Sequence, residues 1–99
     1  MILPVEMRKN YLERRFNELK KLQENRGKPD FLLIKKLGHQ IKGNAKSFDF
    51  NDLTEIGITF EKVAKSKDLN SFLLAIDDFE KHLKLCFQRL SLEESVNDK

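Results

Sequence analysis

Apolar residues recur at the 3.6-residue period of a helix in four separate stretches, divided by short breaks rich in Gly, Pro, Asp and Asn. A stretch with a single apolar stripe gains little by standing alone in water. It must lay that stripe against others. The first stretch runs over about 4–25, opens at Pro4, which a first turn accepts, and carries Val5, Leu12, Phe16, Leu19 and either Leu22 or Gln23 on its stripe. Arg26-Gly27-Lys28-Pro29 stops it, read as a glycine C-cap followed by proline. Asp30 then caps a second helix over about 31–47, whose apolar side is Leu33, Ile34, Leu37, Ile41, Ala45 and Phe48.

The segment Ser47-Phe48-Asp49-Phe50-Asn51 reads as a loop, with Asn51 capping a third helix over about 52–65. Leu53, Ile56, Phe60 and Ala64 line one face of that helix, and Gly57 shares their side. Asp68 caps the last helix, about 69–90, which turns Phe72, Leu73, Ile76, Phe79, Leu83, Phe87 and Leu90 inward. The polar tail 91–99 is expected to fray. Four amphipathic helices with short connections predict an all-α fold, an antiparallel up-down-up-down four-helix bundle forming one domain over residues 1–99. Eight Phe and no Trp imply that ring packing fills much of its core.

Charge narrows the partners without choosing one. With 19 Lys and Arg against 16 Asp and Glu, the net charge is +3, which admits an anionic partner but does not demand one. The single cysteine, Cys86, cannot form an internal disulfide, as suits a reducing compartment. Met1 to Val5 is too short for a signal-peptide apolar region, and no apolar run approaches the roughly 20 residues that span a bilayer. The expectation is a soluble, cytoplasmic monomer with no membrane contact, since no long apolar stripe is left over.

The polar face of the second helix is less ordinary. With His39 placed at zero on a helical wheel, Lys35, Lys36, Lys42, Lys46, Leu32 and Gly43 fall within about 60° of it. The stripe of Leu37, Ile41 and Phe48 lies opposite. An outward imidazole ringed by lysines is favoured in its neutral form, because like charge disfavours imidazolium. A neutral ring offers a free nitrogen as nucleophile, and the lysines would stabilise an anion bound there. Gly43, one turn on, lets a bulky group approach, and glycine inside a helix costs about 1 kcal/mol relative to alanine. Leu32 and Ile58 fall on exposed sides of the second and third helices, a candidate docking patch beside His39.

The run His39-Gln40-Ile41-Lys42-Gly43-Asn44-Ala45 resembles the signature of the histidine phosphotransfer (HPt) family, with His, then an aliphatic, Lys, Gly and a small residue at matching spacing. Leu37-Gly38, the segment from Phe48 to Leu53, and Phe60-Glu61 are also similar to that family, so the likeness spans about residues 8–90. The resemblance implies a phosphorelay intermediate that takes a phosphoryl group on His39 from the aspartyl phosphate of a receiver domain and passes it to another receiver. It implies that Lys42 steadies the phosphoryl group, Gly43 gives access, and Glu61 holds the second ring nitrogen of His39. Lys35 and Lys46 would support the charge, and Lys36 would join Leu32 and Ile58 in docking. Its partners would be response-regulator receivers and, upstream, a hybrid sensor kinase. No cofactor of its own is implied, the Mg²⁺ being expected on the receiver. The family usually has Gly at the position of Asp49, a residue that also tolerates left-handed backbone.

No Gly-rich phosphate loop or ATP-site motif occurs, so no kinase activity is expected. The alternative is a non-catalytic helical adaptor whose lysine face binds an acidic protein. Nucleic-acid binding is disfavoured, since no aromatics interleave the lysine face. His82 and Cys86 lie one turn apart, but with one other His and no other Cys no metal site is expected.

Overall fold

The computed structural model describes residues 3–97, so the terminal residues of the sequence reading, Met1, Ile2, Asp98 and Lys99, lie outside the described residues. Four α-helices follow in chain order: α1 (Val5–Glu24), α2 (Phe31–Asn44), α3 (Asn51–Ser66) and α4 (Leu69–Asn97). A 3-10 turn, Ala45–Phe48, extends α2, and there is no strand among the described residues. The fold is the all-α four-helix bundle expected from the periodicity. α2 packs on α3, α3 on α4 and α4 on α1.

The core is built from the predicted stripes. Leu12, Ile34, Ile41, Leu53, Phe60, Phe72, Ile76, Phe79 and Leu83 are all fully buried. Phe60 meets Phe79 edge to face with ring centroids 5.2 Å apart, an arrangement that adds to the gain from area burial. Leu73 and Phe87 sit half-buried at its edge, and Leu33, expected inside, is exposed. Phe50, expected in a loop, is buried beside Tyr11, their centroids 6.0 Å apart.

Local signals set most of the boundaries. The Asp30 carboxylate accepts from the backbone N–H groups of Leu32 and Leu33, capping α2 as its position predicts. Asp68 caps α4 by accepting from Ser71 N and Oγ. Two expected caps are corrected. Asn51 is the first residue of α3 rather than its cap; Phe50 stands before it, its carbonyl already accepting from Leu53 N–H. α1 ends at Glu24 with Asn25 as C-cap, and Gly27 does not adopt left-handed backbone, so it serves as an open turn residue instead. Asp49 does take the left-handed conformation, φ 66° and ψ 33°, where its N–H bonds the carbonyls of Ala45 and Lys46.

The main correction lies at the chain's end. Residues 91–97 do not fray but continue α4 to Asn97. Glu93 in that stretch is held by Arg8, a charged residue of α1 that is only 3% exposed. Its Nη1 and Nη2 donate to both carboxylate oxygens of Glu93 at 2.8 and 3.1 Å, and its Nε donates to the Phe48 carbonyl at 3.0 Å. The guanidinium lies 5.2 Å from the Phe50 ring centroid, and Asp49 approaches it at 3.6 Å. One side chain thus ties α1, the end of α4 and the turn after α2. A second buried arginine, Arg15, stacks on Tyr11 at 5.0 Å and faces Glu18 at 2.9 Å. Burial raises the Glu18 carboxyl above its ordinary value, against the pull of Arg15.

Among the described residues, no helix is long and apolar enough to cross a membrane.

Candidate functional site

α2 and α3 approach each other more closely than side chains normally allow, because glycines meet at the contact. A Cβ at Gly38 would come within 2.8 Å of the Gly57 carbonyl oxygen and the Phe60 Cβ, and 3.0 Å of Glu61 N. A Cβ at Gly57 would come within 2.6 Å of Lys42 N and 2.7 Å of the Gly38 carbonyl oxygen. These backbones pass with nothing between them. His39 follows Gly38 directly, and Lys42 lies one turn on, so the helical turn held against α3 is the one that carries both.

His39 projects outward, its side chain 77% exposed. Across the seam Glu61 reaches both residues. Its Oε1 lies 2.8 Å from Lys42 Nζ, a charge-assisted hydrogen bond, and its Oε2 lies 3.6 Å from His39 Nδ1. At that distance the ring nitrogen faces the carboxylate without a formed hydrogen bond. A hydrogen bond from the Lys42 ammonium, and then its positive charge, hold the Glu61 carboxyl below its ordinary value, so it stays ionised at neutral pH. Nδ1 is the ring nitrogen that faces the carboxylate, and Nε2 has no hydrogen-bond partner among the described residues.

A hollow of about 600 Å³ opens beside the ring, lined by Asp30, Leu32, Leu33, Lys35, Lys36, His39 and Glu61. Leu32 is 78% exposed on its rim. A second hollow shares Leu32, Lys35 and Glu61 and continues past Phe31 and Ala64 to Lys65 and Lys67. An imidazole with one nitrogen turned to a carboxylate and the other open, in an apolar hollow rimmed by ammonium groups, can attack an electrophile and hold an anion at the product nitrogen.

The sequence-predicted residues divide accordingly. His39, Glu61, Lys35, Lys36 and Leu32 line the hollow, and Lys42 joins them through its hydrogen bond to Glu61. Gly43 lies open on the same helix, with nothing within 4 Å of where a Cβ would stand. Lys46 is exposed in the 3-10 turn and lines neither hollow, and half-buried Ile58 does not line them either. Leu33 is a rim residue that periodicity had assigned to the core. Gly57 was visible on the inner face of its helix and Gly38 only through the family resemblance, and their meeting was not visible. Away from this face, His82 Nδ1 lies 2.9 Å from the Asp78 carbonyl oxygen. Burial pushes the Cys86 thiol up to about 11, so it stays protonated beside Asp52 and Arg89. No cluster of three potential metal ligands forms among the described residues.

The family model of the Hpt domain matches residues 6–93. Neither the curated proteins nor the solved structures yield a significant match.

Proposed function

Because the chain belongs to the Hpt domain family, a class of phosphotransfer module in two-component signalling, we propose that it is a phosphorelay intermediate that carries a phosphoryl group on His39. One observation supports this above the rest. Glu61 faces Nδ1 of an exposed imidazole at 3.6 Å, which leaves Nε2 as the nucleophile. Members of this family work with receiver domains, and the donor in this reading is a receiver aspartyl phosphate.

In the forward step the Nε2 lone pair forms a bond to phosphorus while the acyl phosphate oxygen bond breaks and the aspartate leaves as carboxylate. The ring becomes cationic, with its proton on Nδ1, and the Glu61 carboxylate stabilises that charge. The Lys42 ammonium, within one turn of the ring, turns toward the phosphoryl oxygens. Transfer to the next receiver reverses these changes. Such a reaction depends on alignment and charge far more than on covalent work by the bundle. The receiver is expected to bring the Mg²⁺ and the remaining catalytic groups. Leu32 and Leu33 supply apolar contact for docking, and Lys35 and Lys36 complement the acidic pocket around a receiver's aspartate.

The test is transfer from phosphorylated receivers to the native chain and to His39→Gln. Acid-labile, base-stable phosphate on the native chain alone supports the proposal. No uptake from a broad receiver panel, with undiminished binding of an acidic protein by His39→Gln, supports the adaptor instead. Incubation with ATP alone should leave both chains unlabelled.

A further inference from the structure

We infer that Gly57, with Gly38 opposite it, is a positioning residue for phosphotransfer: the backbone contact they permit between α2 and α3 fixes the spacing of Glu61 from His39. The inference rests on the phosphotransfer reading above and names what sets the geometry that reading uses.

Gly57 stands one helical turn before Glu61 on α3, and it lies against both ends of the α2 turn from Gly38 to Lys42. Gly38 in turn lies against the Glu61 backbone nitrogen. The residues at which the helices touch are therefore the immediate neighbours, in sequence or by one turn, of the three that form the site. Gly43 gives the contrast. It lies in the same helix with open space around it, so α2 has no general requirement for glycine. A methyl at Gly57 would meet the Lys42 backbone at 2.6 Å, where ordinary contact begins at 3.4 Å. Backbone cannot swing aside as a flexible side chain can, so α2 and α3 must part by roughly 1 Å. Glu61 is already at 3.6 Å from Nδ1, and that displacement takes it beyond useful reach of the ring. Misplacement of about 1 Å in positioned chemistry costs up to about 100-fold in rate.

The test compares single-turnover transfer from a phosphorylated receiver to the native chain, Gly57→Ala, Glu61→Gln and the double variant. Gly27→Ala, which puts a methyl into open space on a remote turn, serves as control. Gly57→Ala should lower the rate constant at least about tenfold while the receiver concentration at half-maximal rate stays unchanged, because the rim of Leu32 and Lys36 is untouched. Glu61→Gln should add nothing further in the double variant, since both changes act through one contact. A Gly57→Ala rate within twofold of native, or effects that multiply, overturns the inference.

Should the alanine variants fail to fold, Glu61→Asp withdraws the carboxylate by one methylene and leaves the glycine contact intact. It should reproduce the loss, and a native rate in Glu61→Asp overturns the inference equally. A readout without phosphate separates this from failure of the phosphotransfer reading. Glu61→Gln should change the ¹⁵N shifts of the His39 ring in the native background and leave them unchanged in Gly57→Ala. Equal responses in both backgrounds contradict the positioning role even where no transfer is seen.

Discussion

Removing the Arg8 side chain should destabilise the bundle well beyond the effect of an ordinary surface ion pair. In Arg8→Ala the Phe48 carbonyl loses its donor in a partly buried position, a cost of about 1–2 kcal/mol. The guanidinium also leaves the face of Phe50, and its stem leaves the surface it covers, for about 1 kcal/mol more. The Glu93 pair adds less than about 1 kcal/mol, because Glu93 is 43% exposed and regains water when released. The sum is about 3 kcal/mol, which lowers the melting temperature of a domain this size by roughly 12–24 °C. Urea and thermal unfolding followed by circular dichroism measure both quantities. Glu93→Gln leaves the carbonyl satisfied and the cation over its ring, so it should cost below about 1 kcal/mol. The Arg8 hydrogen bond holds the folded Glu93 carboxyl below its ordinary value. Its contribution is therefore complete above the unfolded value of about 4.3 and is lost as pH falls through the lower folded value. The gap between native and Glu93→Gln should close in that acid window. An Arg8→Ala loss under about 1 kcal/mol, or a Glu93→Gln loss as large as that of Arg8→Ala, would refute the reasoning.

Gly43→Ala should raise stability by about 0.5–1 kcal/mol, because the methyl meets open space and removes glycine's backbone entropy; the same methyl on the reactive face should slow phosphoryl transfer, and unchanged stability with unchanged transfer would count against both arguments. Leu32→Ser removes an apolar side chain that is already exposed, so stability should stay within about 0.5 kcal/mol while half-saturation by a receiver rises severalfold. Asp30→Ala should cost about 1 kcal/mol through loss of the α2 cap, read by urea denaturation, and a loss under about 0.3 kcal/mol would contradict the capping role.

The fold was legible because its main determinant is periodic. Stripes such as Phe72, Ile76, Phe79 and Leu83 declare a buried face whatever their partners, and four of them with short connections leave few arrangements. Asp30 and Asp68 were legible for a local reason, since a capping carboxylate acts within three residues of itself. What escaped was long-range and polar. Arg8 is separated from Glu93 by nearly the whole chain, and no periodicity marks an arginine whose charge is answered from α4 and from the turn after α2. Missing it, the sequence reading ended the last helix near Leu90, where the apolar stripe stops, although Glu93 holds a further turn in place. The site divides along the same line. The wheel gathered His39, Lys35, Lys36 and Lys42 because they share one helix. Glu61 came from family resemblance, and periodicity alone placed it only at the boundary of its helix. The closeness of α2 and α3 depends on two glycines meeting, and spacing along a single chain does not encode which faces meet.

Phosphoryl uptake by the native chain, set beside His39→Gln, bears most directly on the central claim. With a phosphorylated receiver as donor, the native chain should gain one acid-labile, base-stable phosphoryl group and yield it to a second receiver, while His39→Gln, equally folded, should gain none. Equal labelling of the two chains, or no labelling of the native chain by any receiver tried, would contradict it.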